Sequence, residues 1–284
     1  MKIIRSSIIY SSFTGLSRIA GFLRDIVFAN FLGSGAAADI FYVAFRFPNT
    51  FRRIFSEGAF NSAFVPIYSK LLLKSDRNEA SYFAGNTLLI LVVLTLLIVV
   101  TIEIFMPSFL LLLAPGFKED AEKFASLVES SRIIFPFLTL VSVVSILSSL
   151  LNSHGKFALS AAMPIILNII LTLAVLTSFY LSHNYLLFLS WGVLLSGIIQ
   201  ILFLFYAIKK NKILIKFSKN YFSIPLIKFY KLFLPSILSS GILQINILIG
   251  TVIASFESGA VSYLYYADRI YQLPLALIGI AIGI

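Results

Sequence analysis

Eight apolar stretches follow one another with little polar sequence between them, at about residues 8–32, 38–69, 86–112, 131–151, 158–181, 185–208, 232–256 and 260–284. A bilayer core of roughly 30 Å needs about 20 apolar residues in helical form, so each stretch is long enough to cross one. Transmembrane strands would be shorter and would alternate in polarity. The pattern therefore predicts an all-α, polytopic membrane helical bundle of about eight transmembrane helices. The breaks carry ordinary turn chemistry: Gly33-Ser34-Gly35, Lys74 to Asn78, Pro115-Gly116, Asn152 to Gly155, and Ser182-His183-Asn184.

Composition agrees. Of 284 residues 59% are hydrophobic and only 12% charged, too little polar surface to cover a water-soluble globule. A soluble enzyme and a soluble secreted protein are thereby excluded. There is no cysteine, hence no disulfide, thiolate metal site or cysteine nucleophile. His154 and His183 are too few for a histidine metal cluster. The sequence assigns no catalytic residue, no metal and no cofactor. The basic start, Met1 to Arg5, is followed by apolar residues as in a signal peptide. That segment continues through Arg18 and Arg24 without a short uninterrupted apolar core, and reads as a first membrane helix.

The formal net charge is +10, and its placement decides its meaning. With the N-terminus in the cytoplasm, Lys2, Arg5, Lys70, Lys74, Arg77, Lys156 and the lysines between 209 and 231 all fall inside, while only Lys118 and Lys123 fall outside. That asymmetry predicts a cytoplasmic N-terminus and an even number of crossings before the basic loop 209–231. The run 209–231 reads as a cytoplasmic loop meeting anionic membrane lipid, with no nucleic-acid partner required.

A weak internal echo suggests how the helices are grouped. Ala29-x-Phe31, Gly35-Ala36 and Tyr42-x-Ala44-x-Arg46 recur as Ala254-x-Phe256, Gly259-Ala260 and Tyr265-x-Ala267-x-Arg269. Such repeats build many transporters. The expected organisation is a six-helix N-terminal lobe over 1–208, the basic loop 209–231, and the first two helices of a second lobe over 232–284. The sequence stops inside an apolar helix, which reads as a truncated or split chain, with a companion chain as the candidate supplier of the missing helices.

Seven arginines lie within the apolar stretches: Arg18, Arg24, Arg46, Arg52, Arg53, Arg132 and Arg269. All lysines lie in loops or at segment ends. Arginine stays charged when desolvated and offers a planar fork of donors suited to phosphate or carboxylate. A central arginine costs roughly 2.5 to 3.5 kcal/mol on insertion, so these groups should face partners or a water-filled cavity rather than lipid. Asp39, Tyr42, Arg46, Asn49, Arg53 and Glu57 recur at three- and four-residue spacing, one stripe along a helix. Pro48 should bend that helix near its middle. Five arginines between 18 and 57 outnumber Asp25, Asp39 and Glu57, which calls for an anionic partner. Arg132, near a helix end, reads as a snorkelling residue. Asn168, Gln200, Gln244 and Asn246 read as interhelical packing residues before ligands.

The residues resemble a known family. Ser17-Arg18 to Arg24-Asp25, Ala37-Ala38-Asp39 to Arg46-Phe47-Pro48-Asn49, Arg52-Arg53 to Glu57-Gly58-Ala59-Phe60 and Ala63 to Pro66 are similar to the MurJ (MviN) lipid II flippases, as are Ala114 to Phe117, Phe135-Pro136, Leu167-Asn168 and Tyr265 to Arg269. The resemblance implies the multidrug/oligosaccharidyl-lipid/polysaccharide exporter fold, two six-helix lobes about a central cavity. It implies movement of lipid II, a polyprenyl-diphosphate glycolipid, from the inner to the outer leaflet for peptidoglycan synthesis. It carries substrate binding to Arg18, Arg24, Arg52 and Arg269, with Arg53, Asp25, Asp39 and Glu57 as companions and Asn49 on the same stripe. A polysaccharide-lipid or multidrug exporter of the same superfamily, and a membrane enzyme acting on polyprenyl phosphate, are the alternatives.

Overall fold

A computed structural model describes the backbone of residues 2–54, 60–73 and 77–282, and within them side chains from residue 12 to 272, residue 243 excepted. Glu57 and the side chains of Ser7 and Ser11 lie outside the described residues.

Each apolar stretch becomes one helix or a broken pair. The first is α1 (Lys2–Phe31), followed by α2 (Ala36–Arg52) and α3 (Phe60–Leu73), which divide the second stretch. The third divides into α4 (Arg77–Ile104) and α5 (Met106–Leu113), where Pro107 suits a first helical turn that needs no backbone donor there. A short 3₁₀ turn, Pro115–Glu119, leads to α6 (Ala121–Ile134), and Asp120 caps it by accepting from the Lys123 backbone N–H at 2.9 Å. Then come α7 (Phe137–Ser153), α8 (Phe157–Ala161), α9 (Met163–Leu181), α10 (Tyr185–Lys210), α11 (Ile224–Ala254) and α12 (Ala260–Ile282). Asn184 caps α10 in the same way as Asp120 caps α6. Pro48 lies inside α2, which continues helical through Arg52 before widening to a π turn at residues 53 and 54.

The expected count of eight crossings is not met by length and composition. Four described stretches, Arg77–Ile104, Ala121–Ser153, Phe157–Leu181 and Tyr185–Lys210, are apolar enough to span a bilayer. Ile224–Ile242 with Gln244–Ala254 makes a fifth if the pair, bent by 40°, is one span. The helices that fall short include those carrying the charges: α1 holds Arg18, Arg24 and Asp25, and α2 holds Asp39, Arg46 and Arg52. Such helices need protein around them, and α1 packs on α9 while α2 packs on α6 and α12.

Two cores fill the bundle, one toward each end. One gathers Phe28, Phe41, Phe45, Phe135, Phe137 and Leu138 beside the turns at 32–35, 114–120 and 255–259. The other gathers Phe60, Phe64, Tyr68, Phe83, Phe229 and Phe233 near the turns at 154–156 and 211–223, the basic end. At that end Phe60 meets the rings of Phe229 and Phe233 with centroids 5.6 and 6.0 Å away, which fastens α11 to α3. Asn168 and Gln200 bridge helices as expected: Asn168 Nδ2 donates to the Ser17 carbonyl and Gln200 Nε2 to the Met163 carbonyl.

The basic segment 211–223 is not a free loop. The Lys216 N–H donates to the Ser81 carbonyl at 3.1 Å, and buried Asn86 exchanges hydrogen bonds with Ser218 and donates to the Asn220 carbonyl. This approach needs Gly85, because a Cβ there would overlap the Lys216 carbonyl. Gly85→Ala should therefore cost about 1–3 kcal/mol through overpacking against backbone. A lowered melting temperature in detergent and faster tryptic cleavage at Lys216 and Lys219 are the expected readouts; unchanged melting and cleavage would contradict this packing.

Candidate functional site

The charged residues of α1 meet those of α12 through one carboxylate. Arg24 and Asp25 are both 5% exposed. Arg24 donates from Nε and Nη2 to Asp25 Oδ1 at 3.0 and 2.6 Å, from Nη1 to Asn168 Oδ1 at 3.0 Å, and from Nη2 to the Tyr265 hydroxyl at 2.8 Å. Its guanidinium also lies 5.4 Å from the Phe28 ring centroid. The other oxygen of Asp25 stands 3.2 Å from Arg269 Nε, an ion pair without hydrogen-bond alignment. Arg269 Nη2 in turn donates to the Tyr265 hydroxyl at 2.9 Å. One carboxylate and one phenol thus hold two guanidinium groups from different helices, as desolvated charge requires.

The internal echo has a spatial counterpart. Tyr42 of α2 and Tyr265 of α12 stack with centroids 3.9 Å apart and planes within 18°. One helical turn further along each helix, Arg46 and Arg269 line the same cavity. Asn49, Thr50 and Arg53 complete the α2 wall, Gln244 and Ile247 belong to α11, and Tyr265 and Asp268 to α12. The space between them is narrow, about 10 Å³, and opens to solvent. Arg52 is half-buried beside this wall, its Nε donating to Asn49 Oδ1 at 3.1 Å. Five guanidinium groups, Arg24, Arg46, Arg52, Arg53 and Arg269, stand around two carboxylates, Asp25 and Asp268, among the described residues.

The stripe on α2 divides in two. Arg46, Asn49 and Arg53 line the cavity, whereas Asp39 lies at the helix start, fully buried and fully engaged. Its Oδ1 accepts from the Ser262 N–H at 3.0 Å and hydroxyl at 2.8 Å; its Oδ2 accepts from the Gly259 N–H at 2.9 Å and Lys123 Nζ at 3.0 Å. The carboxylate therefore sits on the N-terminus of α12, where unpaired amides and the helix dipole favour negative charge. Gly259 turns with φ +81° to present its N–H, a conformation that disfavours other residues. The Tyr266 hydroxyl, donating to the Gly33 carbonyl at 2.9 Å, and the Gly116 N–H, donating to Ser255 Oγ at 3.1 Å, tighten the same end. With the Phe60–Phe229–Phe233 contact at the other end, α11 and α12 close over α2 and α3 on both sides of the cavity.

Arg18 stays apart from this group, exposed on α1, and Arg132 is exposed in the last turn of α6. Gln244, read from the sequence as a packing residue, lines the cavity, while Asn246 is exposed. Tyr265 was not singled out as a ligand or anchor, although its match to Tyr42 in the repeat marks the position.

A family model described as lipid II flippase MurJ matches residues 28–284. The probable lipid II flippase MurJ of Rhizobium tropici is 38% identical over 288 residues, which cover 100% of this chain and 54% of the relative. A solved structure of lipid II flippase MurJ in an inward closed conformation is 29% identical with TM-score 0.78, over 94% of this chain and 55% of that one. An inward-facing multidrug-resistance MATE transporter, at 17% identity and TM-score 0.71 over 96% of this chain and 63% of its own, shares the fold. The chain spans about half the length of the curated relatives it matches.

Removing Asp39 leaves the Lys123 ammonium and the first amides of α12 without their acceptor. Asp39→Ala should cost about 3–5 kcal/mol, the range for breaking one side of a buried pair. Because the chain has no native cysteine, a single cysteine at Ser262 reports the opening directly. It should react with a water-soluble maleimide faster in the Asp39→Ala background; equal rates would contradict the closure assigned to Asp39.

Proposed function

The chain belongs to the lipid II flippase MurJ family, and from that premise we propose that it forms one lobe, and the start of the second, of a transporter that moves lipid II from the inner to the outer leaflet. The observation that carries this reading is the gathering of guanidinium groups around one solvent-connected space between α2, α11 and α12. A diphosphate headgroup offers these groups anionic oxygens, and planar forks bind such oxygens two at a time. Arg24, Arg52, Arg53 and Arg269 are the proposed phosphate ligands, with Asn49 beside them. Asp25 is the positioning residue that holds Arg24 and Arg269 together and limits their repulsion when no substrate is present.

Asp39 acts as a closure between α2 and α12 rather than as a contact to the headgroup. Arg18, exposed on α1, fits an approach site for the diphosphate before the cavity closes around it. Glu57 is a companion of the α2 stripe. The transport cycle is alternating access, with the closures at the two ends opening in turn and the isoprenoid tail remaining in lipid. No bond of the substrate is broken, so the residues need to bind and release, not to catalyse. We infer that the protein lies in the bacterial inner membrane with its N-terminus and the basic run 209–231 in the cytoplasm, where anionic lipid meets the lysines.

A multidrug exporter of the same fold would carry organic cations and would need an acidic cavity. Arg46, Arg53 and Arg269 lining this space disfavour it.

Arg24→Lys and Arg269→Lys keep the charge and remove the fork. Each should lower lipid II translocation by at least about tenfold, the scale of one charge-assisted hydrogen bond, with membrane insertion intact, in the assembly that complements a flippase-deficient strain. Wild-type rates in both variants would contradict the assignment. Orientation is tested separately with single cysteines: one at Lys212 should be blocked only by a reagent that crosses the membrane, and one at His183 by an impermeant reagent; the reverse pattern would invert the topology.

A further inference from the structure

Three polar atoms of the residues lining the cavity have unmet hydrogen bonds among the described residues, the donors Arg46 Nε and Arg269 Nε and the acceptor Gln244 Oε1. Arg46 Nε and Gln244 Oε1 are both buried and have no partner among the described residues, although both residues line the same space. Arg269 differs in that its unpaired Nε still stands 3.2 Å from Asp25 and its Nη2 donates to the Tyr265 hydroxyl, whereas Arg46 Nε and Gln244 Oε1 have neither. Buried polar groups are nearly always paired, so an unpaired donor and an unpaired acceptor facing one cavity mark a ligand with complementary groups. A bare anion satisfies only the arginine. The acceptor on Gln244 needs an N–H or O–H on the same ligand.

We propose that Arg46 and Gln244 form a second subsite that reads the group esterified to the diphosphate: Arg46 donates to a phosphate oxygen, and Gln244 Oε1 accepts from an amide N–H or hydroxyl of the adjoining sugar. This rests on the diphosphate reading above and adds to it a discrimination between a sugar-bearing lipid and a bare one. Sites built to hydrogen-bond a ligand donor reject analogues that lack it, because the buried acceptor is then left unpaired. Position supports the division of roles. Arg46 and Arg53 come from the helix that carries the cationic stripe, and Gln244 stands across the space on α11, so a ligand anchored on α2 presents its next group to α11.

The test compares two probes, a polyprenyl diphosphate and the same lipid carrying an N-acetylhexosamine, binding to the full chain in lipid nanodiscs. Gln244→Leu should weaken the sugar-bearing lipid about tenfold and leave the bare diphosphate within about twofold, so the preference between them collapses. Gln244→Glu retains an acceptor and adds a negative charge; it should weaken both lipids while preserving their ratio. Arg46→Lys, which keeps the charge and removes Nε, should weaken both. A Gln244→Leu variant that shifts both lipids equally, or neither, overturns the subsite while the diphosphate site stands. Wild-type protein that binds neither lipid overturns the diphosphate reading and the subsite with it.

Discussion

The arrangement depends on Asp25. Guanidinium groups at membrane depth are tolerated only when partners or water replace their lost hydration, and α1 and α12 each bring one, Arg24 and Arg269, to the same place. Two unpaired cations there would repel across a desolvated gap. A single carboxylate between them, with Tyr265 donating and accepting beside it, draws the two helices together instead. Because the carboxylate is shared, neither arginine is fully neutralised. The pair is held in place structurally yet retains an attraction for a further anion, which is the property a reversible binding site requires.

The same principle, a charge satisfied by groups from another helix, governs the closure near the turns at 32–35 and 255–259. Asp39 receives four donors, three of them from the start of α12 and one from α6. At the basic end the fastening is aromatic, with Phe229 and Phe233 stacked at 4.9 Å and set against Phe60. The two ends are thus held by different physics. A polar clasp exchanges its partners for water at modest cost, whereas an aromatic contact must expose apolar surface to open. Opening at one end should therefore respond to charge, and at the other to packing.

Much of this was legible in the sequence because membranes impose few solutions. Each apolar stretch proved helical, and the three- and four-residue spacing of Arg46, Asn49 and Arg53 placed them on one wall. The breaks at Phe105 and at Phe135–Pro136 were less visible, since apolar residues continue through them and hydropathy does not register a change of axis. The count of eight spans is not confirmed for a related reason: α1 and α2 carry charges that keep them below a span's hydropathy, and they rely on neighbours that a hydropathy window does not see. Asp39 shares the α2 stripe by spacing, but its partners are 220 or more residues away at Gly259 and Ser262, and one is Lys123. Gln244 could be recognised as a liner only once α11 was placed against α2. The repeat was the most informative weak signal, because Tyr42 with Tyr265 and Arg46 with Arg269 became facing pairs.

The space between α2, α11 and α12 is proposed to be a receptor for a diphosphate. Equilibrium binding of a polyprenyl diphosphate, its monophosphate and the uncharged polyprenol to the protein in nanodiscs, over a series of salt concentrations, tests it most directly. The account predicts that the diphosphate binds at least about tenfold more tightly than the monophosphate, that the alcohol gains nothing from the cavity, and that a Asp25→Asn exchange alters the diphosphate preference. Indistinguishable binding of the three lipids would contradict it.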